Sequence, residues 1–340
     1  MRPRSLVFGF LAAFLAAAAA VSGYWVWWAG TLERGLADWR DKKRLRGYEI
    51  TYGGPAIDGF PLAHVTRIDA PALRSPNGAR WRGPAMTARA PSWDPGAILV
   101  TFPGRHEVER LNAGALSGLV LDSRAAEASL RLGWGGRLET AEATVLGLEA
   151  LAEPFGRFLG ERLRLTVTPD YGPDGESVLG HGFTLETETL EVPAAVAGPL
   201  DPRAEKIVLA GRLNGVVPGT QPRRALSLWR ERGGALELDL VEIDWSPLVV
   251  SASGRLTLDG RLRPQGQLAA RITGLPELLD RLVALGLMPA DQVARMKPVI
   301  LAFSGERDEE GRPVLAAPLI LNAGVLSLGP LPLARISPVL

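Results

Sequence analysis

In the stretch SASGRLTLDGRLRPQGQLAARITGLPELLDRL, residues 251–282, small and apolar residues alternate with polar ones. Ala252, Gly254, Leu256 and Leu258 share one side of an extended chain, and Ser251, Ser253, Arg255, Thr257 and Asp259 share the other. A period of two is the mark of a half-buried strand. After a Gly/Pro turn the pattern resumes with Leu268, Ala270 and Ile272, and Pro276 then opens a short helix that Gly286 stops. Further strands are expected at residues 48–53, 62–68, 81–88, 98–102, 125–132 and 138–146, divided by turn signals such as SPNG, DPG and GWGG. With 39 Gly and 27 Pro in 340 residues, turns are plentiful. The chain is therefore expected to be mainly β with a few short helices, as a curled antiparallel sheet of trough or half-barrel form. Leu256, Leu258, Leu268 and Ile272 are the candidate lining of an apolar groove in such a sheet. A packed core produces the same alternation.

The N-terminus constrains location. Residues 5–32 carry no charge, and 6–28 are long enough to cross a hydrocarbon layer of roughly 30 Å as a helix. Arg2 and Arg4 precede the run, while Tyr24, Trp25, Trp27 and Trp28 cluster at its far end like an interfacial aromatic belt. A cleaved signal peptide is the rival reading, since residues 16–20 are all alanine. The Trp cluster favours a retained anchor over residues 1–28. Leu32, Leu36 and Trp39 then space an amphipathic stalk helix over residues 29–46. Lys42, Lys43, Arg44 and Arg46 outnumber Arg2 and Arg4, which by charge alone holds the following domain inside; long domains, however, translocate largely regardless of charge.

Residues 47–340 form the β-rich domain, with possible halves at 47–168 and 203–340 joined by Pro/Gly-rich connectors. A weak duplication supports the division. WDP at 93–95 precedes the apolar strand AILVTF, and WSP at 245–247 precedes LVVSASG. Each is followed at a distance by an expected short helix, the first within residues 147–160 and the second at 276–285. Two unrelated β corners sharing Trp and Pro explain the pattern equally well.

Signals for catalysis are thin. The absence of cysteine excludes disulfides, thiolate metal sites and cysteine nucleophiles. A net charge of +1 and the lack of a basic stripe argue against a nucleic-acid partner. His64, His106 and His181 show no metal-ligand spacing; the first falls in a strand, and His181 reads as a loop residue between glycines. In DYGPDGE, Asp170, Asp174 and Gly175 fit positions one, five and six of a calcium loop, but Gly172 and His181 stand where oxygen ligands belong. Glu186 and Glu188 read as a solvated strand face. No catalytic residue, metal site or cofactor is expected.

Five motifs carry a family resemblance: GFP at 59–61, WDP at 93–95, FPGRH at 102–106, WSPLVVSASGRLTLDG at 245–260 and LNAGVLSLGPLPL at 321–333. Together they resemble an uncharacterised family of Gram-negative envelope proteins known only as a domain of unknown function. More distantly, the closing pattern resembles AsmA-like proteins. That resemblance implies a single inner-membrane helix, a periplasmic β trough and a role in moving or organising lipids, and it brings no catalytic residues. The expectation is a single-pass inner-membrane protein with its main domain in the periplasm, binding membrane lipid or another apolar ligand. The alternative is a non-catalytic scaffold for another envelope protein, and a hydrolytic enzyme comes third.

Overall fold

The computed structural model describes residues 3–112, 115–217, 222–329 and 331–339. They open with α1 (Pro3–Leu45), a single helix of 43 residues. The expected anchor and stalk are thus segments of one helix, about 65 Å long at ~1.5 Å per residue. It ends where Gly47 enters the left-handed region at φ +80. The Tyr48 N–H donates to the Lys43 carbonyl and the Gly47 N–H to that of Arg44, so two of the last turn's orphan carbonyls are satisfied. Among the described residues no helix is long and apolar enough to cross a membrane. The part over residues 22–45 carries Glu33, Arg34, Asp38, Arg40, Asp41, Lys42, Lys43 and Arg44, which makes it too polar. The apolar run on which the anchor expectation rests falls mostly on residues 3–21, whose side chains lie outside the described set.

The chain divides into two compact units, residues 1–138 with 150–154, and residues 139–149 with 155–340. In the first, β1 (Glu49–Asp58) and β2 (Ala63–Arg74) form a hairpin. β3 (Arg80–Arg82) and β4 (Met86–Pro91) run back along β2 as one interrupted strand. β5 (Ala97–Thr101) and β6 (His106–Asn112) repeat the device against β3 and β4, and both pair with β7 (Ala115–Leu132). The result is an antiparallel meander. α1 lies along β1 in the opposite direction, with Lys43 over the Tyr48 ring at one end and Trp25 bonded to Ala63 at the other.

β8 (Leu138–Ala152) crosses the division between the units. In the second unit β9 (Gly156–Tyr171) pairs with β10 (Val178–Glu191), which pairs with β11 (Arg203–Asn214) after the single turn of α2 (Ala194–Ala197). α3 (Pro222–Glu231) precedes β12 (Ala235–Trp245), β13 (Leu248–Leu258) and β14 (Pro264–Thr273), each antiparallel to the last. α4 (Leu275–Ala284), α5 (Ala290–Phe303) and the two-residue β15 (Glu306–Arg307) intervene before β16 (Pro313–Asn322), which pairs back on β14. β17 (Val325–Leu328) and β18 (Leu331–Arg335) finish the sheet.

Register turns the alternation of single strands into rows. Leu165, Leu185, Leu209, Val241, Ala252, Ala270 and Ala317 face one another across seven strands. A bulge between Leu238 and Val241 keeps β12 in phase. The opposite face is laced by ion pairs, such as Arg162 with Glu188 and Lys206 with Glu242, both at 2.8 Å. Each is exposed and worth at most about 1 kcal/mol. The mainly β expectation is met, with a large antiparallel sheet and few helices.

The core of the second unit lies under α4 and α5. Leu275 and Leu279 of α4 and Val293 and Ile300 of α5 pack with Leu268, Ala270, Ile272 and Leu315 of the sheet. Gly274 launches α4 at φ +83, where a Cβ would stand 1.7 Å from the Pro247 carbonyl oxygen, so no other residue fits that corner. Two local expectations are corrected. Residues 147–160 form no helix; they are the end of β8, a turn and the start of β9. His181 is a strand residue of β10, paired with Leu213 and Pro169.

Candidate functional site

The four residues expected to line a groove lie on the apolar face of the second unit. Leu268 and Ile272 are buried beneath α4, and Leu256 packs half-buried against the same core. Leu258 sits at the end of β13 opposite Pro264, half-buried and outside that core. The sequence reading missed the continuation of these rows on to β9 and β10. Leu163, Val167, Phe183 and Leu185 are half-buried there, and Leu165 is 38% exposed. A signal was present. Leu163, Leu165 and Val167 alternate with Arg162, Arg164 and Thr166, and Phe183 and Leu185 with Thr184 and Glu186. On the polar face a depression of about 530 Å³ is floored by Ser251, Ser253, Ala269 and Ala316, with Asp239 and Arg271 at its margins.

The tryptophans expected at a membrane interface have different surroundings. Trp25 turns on to the β1–β2 hairpin: its indole N–H donates to the Ala63 carbonyl at 2.9 Å, and its ring stacks on His64 at 5.2 Å. Phe60 meets Trp25 edge-on at 5.6 Å, and Trp28 approaches His64 at 6.3 Å. Trp27 alone of the three is exposed, at 58%. A cleft of about 340 Å³ runs between this segment of α1 and β1, lined by Trp25, Val26, Ala29, Gly30, Glu33, Pro55 and Ile57.

His64 is 2% exposed, and among the described residues neither ring nitrogen has a hydrogen-bond partner. Burial lowers its pKa, because a charged imidazolium is disfavoured away from water. It serves as a flat packing partner for indole, out of a substrate's reach. His106 is held by its Nε2 at 2.8 Å from the Phe102 carbonyl and stacks on Trp81. Asp174 caps its own turn, accepting from the Glu176 and Ser177 amides and the Ser177 hydroxyl, which holds its carboxyl at about 2. Among the described residues no group of three or more His, Asp or Glu is arranged to hold a metal ion.

In the first unit the turns that carry GFP and WDP are tied together through the residues beside the motifs. The Ser92 N–H donates to the Leu62 carbonyl at 3.0 Å, which joins the turn after β1 to the turn after β4. A family model described as an uncharacterized protein conserved in bacteria (DUF2125) matches residues 25–337. The chain belongs to that family. The DUF2125 match takes in all five motifs and strands of both units. No curated protein and no solved structure matches the chain.

Proposed function

We propose that this DUF2125 protein is a single-pass protein of the bacterial inner membrane, anchored by the start of α1, with its β-rich domain in the periplasm. We further propose that the apolar face of the second unit takes up lipid acyl chains over β9–β11. One observation carries the reading: the row from Leu165 to Ala317 runs unbroken from β9 to β16, with Thr187 and His181 of β10 as polar members of the rows beside it, yet the buried core occupies the β12–β17 stretch and its flank. Leu165, in the same row as buried Ala270, stays exposed. An apolar strip that continues past its own cover suits an apolar ligand. The uncharged run at residues 5–32 and the AsmA-like closing pattern support the membrane setting.

The test uses the full-length protein in vesicles that contain a phospholipid with a photoactivatable acyl chain. Cross-links are expected on peptides bearing residues 163–167 and 183–185, and Leu165→Asp with Leu185→Asp should remove them while the protein stays folded. Cross-links confined to residues 1–28, or none, would overturn the lipid reading. A phosphatase reporter fused after Leu340 should be active; an inactive one, beside an active cytoplasmic reporter, would reverse the topology.

A further inference from the structure

The two ends of the first unit's meander differ in character. At one end the turn between β2 and β3 is polar, built from Ser75, Pro76, Asn77 and Gly78 and closed by the Ser75 N–H on the Ala79 carbonyl at 2.8 Å. At the other end the turns after β1 and β4 carry Phe60, Leu62 and Trp93, which are 54, 66 and 75% exposed. These side chains leave their apolar surface in water although the turns that hold them are well ordered by hydrogen bonds. Ser92 ties the second turn to Leu62. Arg131 at the end of β7 meets Asp94 at 2.6 Å and neutralises it, which leaves exposed Asp58 as the other carboxylate beside these turns.

This apolar end is also where α1 docks, through Trp25 on Ala63, His64 and Phe60. Val26 and Trp27 on the same helix are exposed as well. Immediately upstream the sequence runs uncharged back to Ser5. Continuity with that run decides what covers the turns. A helix that leaves a bilayer near Tyr24 brings Phe60, Leu62 and Trp93 to the level of the headgroups, where aromatic rings are favoured. The polar Ser75–Asn77 turn is then at the far end of the unit.

We propose that Phe60, Leu62 and Trp93 form a second membrane contact beside α1, so that the first unit rests with this end on the lipid surface. The inference depends on the anchored reading of α1, and the experiment separates the two. Because the natural chain has no cysteine, single Cys variants take a polarity-sensitive fluorophore without background. Phe60→Cys, Leu62→Cys, Trp93→Cys, Asn77→Cys and, within the uncharged run, Leu11→Cys are placed in the full chain. Each is reconstituted in phosphatidylethanolamine/phosphatidylglycerol vesicles with lipids that bear a quencher at shallow or deep positions. Shallow quencher should act on labels at 60, 62 and 93 and spare 77, while deep quencher acts on 11. Quenching at 11 alone would overturn the contact and leave the anchor standing. No quenching at 11 would remove the anchor and the contact together. Blue-shifted but unquenched labels at 60, 62 and 93 would assign the patch to a protein partner and overturn the lipid contact.

Discussion

Under α4 and α5, Leu268, Ala270 and Ile272 of β14 are buried, whereas on β9 the residues of the same rows, Leu163, Leu165 and Val167, are half-buried or exposed. The two stretches share alternation, register and an ion-paired polar face. They differ in cover. The sheet pattern specifies which face is apolar, and the helical insertion between β14 and β16 specifies how much of that face becomes core. The largest expected contrast follows directly. Leu268→Asp buries an unpaired charge and should cost about 4 kcal/mol or more, or prevent folding, as read by urea denaturation. Leu165→Asp should cost about 1 kcal/mol or less, because that side chain already meets water. Equal losses would show that the β9 stretch is packed too, and the comparison would collapse.

Removing part of the cover is the next step down. Leu279 of α4 is 4% exposed within the core, so Leu279→Ala should lower stability by about 2–4 kcal/mol. In the lipid-binding reading it should also extend photo-cross-linking on to β14. Leu258 marks the edge of the covered zone. Half-buried and outside the core, it should tolerate Asp at a cost of about 1–2 kcal/mol, between the values for Leu268 and Leu165. A loss as large as that at Leu268 would move the boundary of the core outward.

How much of this was legible depends on whether a signal was local. The β13–β14 hairpin and the helix after it follow from alternation, turn residues and Pro276, and the structure places α4 within one residue of the expected start. Residues 147–160 misled for a physical reason. Leu, Ala and Glu favour helix in isolation, but pairing of β9 with β10 outweighs propensity, and Gly156 at φ +106 opens β9 straight after the turn. The glycines flanking His181 hid a strand in the same way. A Cβ on Gly180 would fall 2.6 Å from the Leu213 carbonyl oxygen, so that glycine marks close strand approach rather than a loop. The Trp25–His64 stack joins residues far apart in sequence, and no local rule points to it. Nor could periodicity alone distinguish covered from uncovered rows, because a covered row and an open one have the same alternation.

The smallest expected effect tests whether the uncovered stretch is truly ordered. Asp174 closes the β9–β10 turn, and Asp259 closes β13–β14 by accepting from the Arg261 and Arg263 amides and the Arg263 guanidinium. Both carboxyls are held at about 2, Asp174 chiefly by the Ser177 hydroxyl and amide and Asp259 chiefly by the Arg263 amide and guanidinium. A carboxyl lowered on folding contributes stability that is fully present above its unfolded value of about 3.9 and is lost as pH falls through about 2. Both turns should therefore soften over the same window, between about pH 4 and 2, although one joins covered strands and the other uncovered ones. Carboxyl ¹³C titration by NMR should give matching curves for the two aspartates, and Ser177→Ala should raise only that of Asp174. An ordinary titration near 3.9 at Asp174 would mean that its turn is loosely held. The half-exposure of Leu163, Leu165 and Val167 would then reflect fraying of the β9–β10 hairpin rather than an ordered face without a cover.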